Sequence, residues 1–124
     1  MSICSDDLMG LAEDLLDSGT EASDRSAVSR SYYALLHEAS DRSKAMGLTA
    51  RTGSGSHANV ISGYRTAGGR LSYIGREIQK RKIMRNVADY DIHLLVDGPE
   101  ARTHVEACKS LIDDLRRITI RAKA

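Results

Sequence analysis

Arg30, Tyr33 and His37 stand at i, i+3 and i+7, so on a helix they share one stripe: a guanidinium, a phenol and an imidazole in a row. Such a row can hold an oxyanion, orient a ring and move a proton, and each group needs a hydrogen-bond partner or water once partly buried. Val28, Tyr32, Leu35 and Ala39 make an apolar stripe beside it, so the same helix carries a core face and a polar face. A second group lies past the middle, Arg85-Asn86-Val87-Ala88-Asp89-Tyr90-Asp91. There Arg85 and Asp89 are at i and i+4, and a carboxylate at that spacing can hold a guanidinium in a fixed pose while its remaining donors face a phosphate. The alternative is a structural salt bridge that pins the turn. Leading into this segment, Arg76, Lys80, Arg81, Lys82 and Arg85 are opposed only by Glu77. That cluster can neutralise phosphates or form a solvated helix face. His93 follows Asp91 and could act as an acid or base, because an imidazole titrates near neutral pH. His104, among polar neighbours on the last helix, is given no role.

Two other chemistries are not supported. Residues 49–57 are rich in glycine and hydroxyls, as expected of a loop, but lack the Gly-Lys-Ser/Thr ending of a phosphate-binding P-loop. His37-Glu38-Ala39-Ser40-Asp41 resembles a zinc helix only until its last position, where Asp41 replaces the second His, and no Cys lies nearby. Neither a metal nor a cofactor is implied.

The elements that must position these residues read as helices. The first is expected over about Asp6–Asp17, capped by Ser5, with Leu8, Leu11, Ala12 and Leu15 buried and Gly19 ending it. The second opens near Ser23 or Asp24 and runs to Met46, with Gly47 as its stop. A short helix, Asn59–Tyr64, precedes a break at Gly68-Gly69, after which Leu71, Ile74 and Ile78 begin the stretch that leads to Arg85. Residues 92–96 form a short apolar connection, and Gly98-Pro99-Glu100 starts the last helix. Its seam of Ala101, Val105, Cys108, Ile112 and Leu115 could pack on the second helix or on a partner chain.

With 124 residues the chain is expected to be one domain, residues 1–124, built without disulfides. It has one Pro, no Phe and no Trp, so Leu, Ile, Val and Ala must supply most of the core, and an all-β fold is disfavoured. A net charge of +1 means that any nucleic-acid site is a local patch. Cys4 and Cys108 form no spacing motif, the N-terminal residues lack a secretory layout, and no apolar run approaches a membrane span. A cytoplasmic setting is therefore expected, without membrane insertion.

Arg30-x-Tyr32-Tyr33-Ala34-x-x-His37-x-Ala39, then His57 before an apolar helix, then a Leu- and Ile-containing helix ending in Arg85-x-x-Ala88-Asp89-Tyr90-Asp91, then a long final helix, resembles a HEPN domain (higher eukaryotes and prokaryotes nucleotide-binding). The resemblance covers about Ser5 to Arg121. It implies an all-α, up-and-down bundle of four to five helices that dimerises, with the two motif regions meeting in a basic cleft. Many members are metal-independent ribonucleases of toxin–antitoxin or defence systems, often encoded beside a minimal nucleotidyltransferase. Their signature is an Arg followed, after four to six residues, by a His. Here Tyr90 stands five positions after Arg85, and His93 comes after seven intervening residues.

The leading expectation is a homodimeric RNA endonuclease. Arg85 would bind the scissile phosphate, His93 or His37 would move the proton of an RNA 2′-hydroxyl, and Arg30, Tyr33, Arg81, Lys82, Asp89 and Tyr90 would bind or orient the substrate. The alternatives are a non-catalytic HEPN module that binds a nucleotide or a nucleotidyltransferase antitoxin, and a helical dimerisation unit whose polar stripe is structural.

Overall fold

The computed structural model describes residues 3–48 and 57–118, which form five helices and, among the described residues, no strand. They are α1 (Ser5–Leu16), α2 (Glu21–Met46), α3 (His57–Arg65), α4 (Gly69–Tyr90) and α5 (Gly98–Arg116). The all-α bundle expected from the sequence is therefore present, while the loop expected over 49–57 lies, except for His57, outside the described residues. None of these helices is long and apolar enough to cross a membrane.

α2 is the centre of the bundle and touches each of the other four helices. Its length explains this: Val28, Tyr32, Leu35 and Ala39 form the expected apolar stripe and are all fully buried, and Ala27, Ala34 and Leu36 widen it. A helix enclosed on several sides needs small residues where neighbours approach, and the alanines supply them. Thr20 caps α2, its Oγ1 accepting from the Ser23 N–H at 3.1 Å, so the helix begins slightly earlier than Ser23 or Asp24. Gly47, at φ +72°, ends it as expected, because the left-handed cap conformation suits a residue without Cβ.

α1 departs from expectation in two details. Cys4, not Ser5, is the N-cap residue, and Asp7 reaches back to accept from the Cys4 N–H at 2.8 Å. Ser5 instead faces inward and donates to Glu38 at 2.8 Å. The buried side of α1 is Met9, Ala12 and Leu16, with Leu8 and Leu15 at its flanks, whereas Leu11 is exposed. The pattern i, i+3, i+7 from Met9 centres the buried face one residue away from Leu11.

α3 and α4 meet at Gly75. A Cβ there would sit 2.7 Å from the Arg65 backbone nitrogen and 2.9 Å from the Tyr64 Cβ. Gly75→Ala is thus expected to lower unfolding free energy by about 1–3 kcal/mol, since the backbone of α3 must shift. A urea midpoint equal to wild type would show that this contact gives way without cost.

α5 is fixed at its start by Asp97, whose Oδ1 accepts from the Glu100 N–H at 2.8 Å while Glu100 accepts from the Asp97 N–H at 3.4 Å. Its seam residues Ala101, Val105, Cys108, Ile112 and Leu115 are all buried, the helix packing on α2 within the chain. The seam is spent on the core of one protomer. His104 corrects the sequence reading: it is buried at 1% exposure, on the inner side of α5 one turn before Cys108.

Candidate functional site

α2 and α4 run antiparallel here: Ser29 meets Asp89, and Tyr32 and Tyr33, one turn on, meet Arg85. Parts of the two sequence segments therefore converge. Arg85 is the centre, its guanidinium carbon lying 5.3, 5.5 and 5.8 Å from the ring centroids of Tyr32, Tyr33 and Tyr90. Tyr32 and Tyr33 pack edge to face at 5.6 Å. The buried Tyr32 and half-buried Tyr33 rings contribute up to about 2 kcal/mol each and the exposed Tyr90 ring about 0.5–1 kcal/mol, which helps to offset the cost of burying the charge.

Arg85 is 6% exposed. Its ion partner is Asp89, with Nη1 and Oδ2 at 3.7 Å, and the Ser29 hydroxyl donates to the same Asp89 oxygen at 3.2 Å. The pairing anticipated from the i, i+4 spacing is present, though longer than a good hydrogen bond. The Arg85 Nε–H is buried and has no hydrogen-bond partner among the described residues. A buried donor left unmet costs about 1–3 kcal/mol, so the cage holds a guanidinium with hydrogen-bonding capacity in reserve. Burial pushes the Tyr32 hydroxyl up to about 12, against the opposing pull of the Arg85 charge, so it stays protonated at neutral pH.

The cage depends on a residue that the sequence reading passed over. Arg25, one turn before Ser29, donates from Nη1 to the carbonyls of Val87 (3.2 Å), Ala88 (3.1 Å) and Asp91 (3.2 Å), and from Nη2 to that of Leu94. α4 ends at Asp91 with φ −107° and no glycine stop, and its last carbonyls find their partner in this side chain. Glu21 holds Arg25 at 2.9 Å and accepts from the Val96 N–H at 3.2 Å. That backbone hydrogen bond, and then the one from Arg25, keep the Glu21 carboxyl below its ordinary range. The signal in the sequence was the Glu21/Arg25 spacing of i, i+4 together with the missing glycine after Tyr90.

The other candidates are placed as follows. Tyr33 is half-buried against Arg85, whereas Arg30 and His37, on either side of it along α2, are exposed. His93 is exposed in the connection after α4, as is His37 on α2, and among the described residues the ion partner of Arg85 is Asp89. The basic cluster divides along α4: Arg76 and Lys80 face solvent, Lys80 pairing with Glu77 at 2.9 Å, while Arg81 and Lys82 are half-buried and Arg85 is enclosed. Arg81 donates from Nη1 to His104 Nδ1 at 3.3 Å. His104 is thus an acceptor on that nitrogen, and its Nε2–H faces Cys108 Sγ at 3.4 Å and the Val28 carbonyl. Burial, and then the nearby Arg81 charge, push His104 down to about 3, and burial pushes the Cys108 thiol up to about 12. Both remain neutral, which fits Cys108 as a core residue.

On α4 and in the connection after it, Ile83, Tyr90, Ile92, Leu94 and Leu95 are exposed large apolar side chains, Tyr90 at 75% and Ile92 at 74%. Ile83 and Tyr90 border one cavity of about 390 Å³ with Asn86, Val87 and Asp91. Among the described residues no group of three His, Cys, Asp or Glu side chains is placed to hold a metal ion. Comparison with protein-family models, with curated proteins and with solved structures finds no match, so the reading of this site rests on its geometry and on the motif resemblance.

Proposed function

We propose that this chain is a HEPN-type RNA endonuclease that acts as a homodimer without a metal. The observation that carries the reading is the enclosed Arg85, a guanidinium preorganised by three tyrosines and Asp89, with a donor still unmet. In the proposed reaction an RNA 2′-oxygen attacks the adjacent phosphorus while His93 or His37 takes its proton. The 5′-oxygen leaves with a proton, and the products are a 2′,3′-cyclic phosphate and a 5′-hydroxyl. Arg85 stabilises the charge on the pentavalent phosphorus, and the RNA supplies the nucleophile itself. Tyr33 and Tyr90 offer ring faces to bases, Asp89 holds Arg85, Arg30 and Lys82 contribute positive charge along the strand, and Arg81, one turn from Arg85, contacts the RNA beside the phosphate. The test is RNA cleavage in excess chelator, scored by cyclic phosphate ends, with Arg85→Ala as the control for contaminating nuclease.

The dimer in this proposal uses the exposed apolar side chains Ile83, Tyr90, Ile92, Leu94 and Leu95, because the α5 seam is already buried. An apolar group next to Tyr90 would set the second copy against the mouth of the cage. Ile92→Glu combined with Leu95→Glu is expected to give a monomer by sedimentation at tens of micromolar. A dimer that survives both changes would place the interface elsewhere.

A second reading is a non-catalytic module that recognises a nucleotide or a nucleotidyltransferase antitoxin. One observation favours it: within a protomer Arg85 is packed against tyrosines and no histidine is hydrogen-bonded to it.

A further inference from the structure

Between α4 and the start of α5 lies a cavity of about 500 Å³, on a different side of α4 from the Tyr90 depression. Its walls include Arg81, Met84, Pro99 and Thr103, with His104 behind and the carboxylates of Asp97 and Glu100 at the helix start. Arg81 is fixed there by an uncharged partner: its Nη1 donates to the neutral ring of His104, so the guanidinium is held in place without losing its charge to a carboxylate. The Arg81 Nε–H is buried and has no partner among the described residues. Asp97 and Glu100 each use one oxygen in the reciprocal cap of α5, which leaves a second oxygen on each outside that cap.

The charge arrangement selects the ligand class. Two carboxylates lining the same cavity as one guanidinium disfavour a phosphate, so the cavity is not another anion site. It suits a flat group that presents adjacent acceptors to Arg81 and adjacent donors to a carboxylate, with apolar faces against Met84 and Pro99. Among the RNA bases guanine alone has both, O6 with N7 on one edge and N1–H with the 2-amino group on the next. We propose that this cavity binds a guanine base, with Arg81 on O6 and N7, Glu100 or Asp97 on N1–H and the 2-amino group, and Thr103 at the rim. Arg81 precedes Arg85 by one turn of α4, so this inference rests on the endonuclease reading for its place in a reaction: a guanosine seated here would lie next to the phosphate at Arg85.

The experiment is a titration of the full chain with GMP, AMP, CMP and UMP, followed by backbone and Arg side-chain amide shifts. GMP is expected to bind about tenfold more tightly than the other three and to move Arg81 Nε–H, Thr103 and His104. IMP, which lacks the 2-amino group, and 7-deaza-GMP, which lacks N7, should each lose most of that preference without any change to the protein. Glu100→Gln keeps an acceptor for the cap and is expected to bring the four nucleotides within about threefold of one another. Equal binding of the four by wild type, or a GMP preference untouched by both analogues and by Glu100→Gln, overturns the proposal. The outcomes separate from the nuclease reading: guanine preference with no cleavage leaves this cavity assigned and removes the enzyme, whereas cleavage without guanine preference does the reverse.

Discussion

Arg85→Lys is expected to reduce RNA cleavage by roughly 10²-fold while changing RNA affinity by less than about threefold. Lysine retains the charge, which is what a phosphodiester backbone reads at a distance. It lacks the planar fork that can meet two phosphate oxygens as negative charge builds on them. The cage sharpens the difference, because the tyrosine faces and Asp89 fix the plane of a guanidinium, and an ammonium there has no plane to fix. His93→Ala and His37→Ala should then divide the acid and base roles between them, each lowering the rate by about 10²–10⁴ if its imidazole moves a proton. Thermal denaturation of each variant separates lost chemistry from lost structure. Equal residual cleavage by wild type and Arg85→Ala, with both folded and dimeric, would end the nuclease reading in favour of the recognition module.

The second large effect concerns acid. His104 is neutral and buried in the folded chain at a pKa of about 3, whereas an unfolded chain returns it to about 6.5. Below pH 6.5 the unfolded state therefore binds a proton that the folded state refuses, and stability falls as pH drops. The contribution is fully present above about pH 6.5 and is lost progressively towards pH 3. At the low end it amounts to several kcal/mol, a large share of the stability of a chain this size. His104→Gln offers Arg81 an amide oxygen as acceptor and does not titrate. It is expected to start less stable at pH 7.5 but to show a much flatter fall of urea midpoint between pH 6.5 and 4. A parallel fall in both proteins would mean that His104 does not carry the acid sensitivity.

The sequence disclosed the bundle because its signals were repeated and local. The α2 stripe of Val28, Tyr32, Leu35 and Ala39 is buried as its period requires, and the Gly47 end of α2 and the Gly98-Pro99-Glu100 start of α5 follow from glycine geometry and from Pro and an acid in a first turn. It disclosed half of the site for the same reason, since Arg85 and Asp89 pair within one helix. What it missed is tertiary. Arg30, Tyr33 and His37 share a stripe, yet Tyr33 is half-buried against Arg85 while Arg30 and His37 are exposed, and a shared stripe does not say which of its members a neighbouring helix covers. His104 has Arg102, Thr103 and Glu106 within two residues in sequence but Val28, Arg81 and Cys108 for neighbours in space, and local polarity is blind to that. Leu11 lost its place in the core to a rotation of about one residue, well within what an apolar pattern on a short helix leaves open.

Arg25 binds two things at once. One guanidinium closes the end of α4, which carries Asp89 and Tyr90, and through Glu21 it also tethers the segment that carries His93 to the start of α2. The outer wall of the Arg85 cage and the segment bearing His93 thus share a single fastening. Loss of that fastening, as in Arg25→Ala, is expected to loosen the last turn of α4 and the segment bearing His93 together. The surroundings of the Arg85 guanidinium are then set in part by one side chain on a neighbouring helix and not by the packing of the core alone.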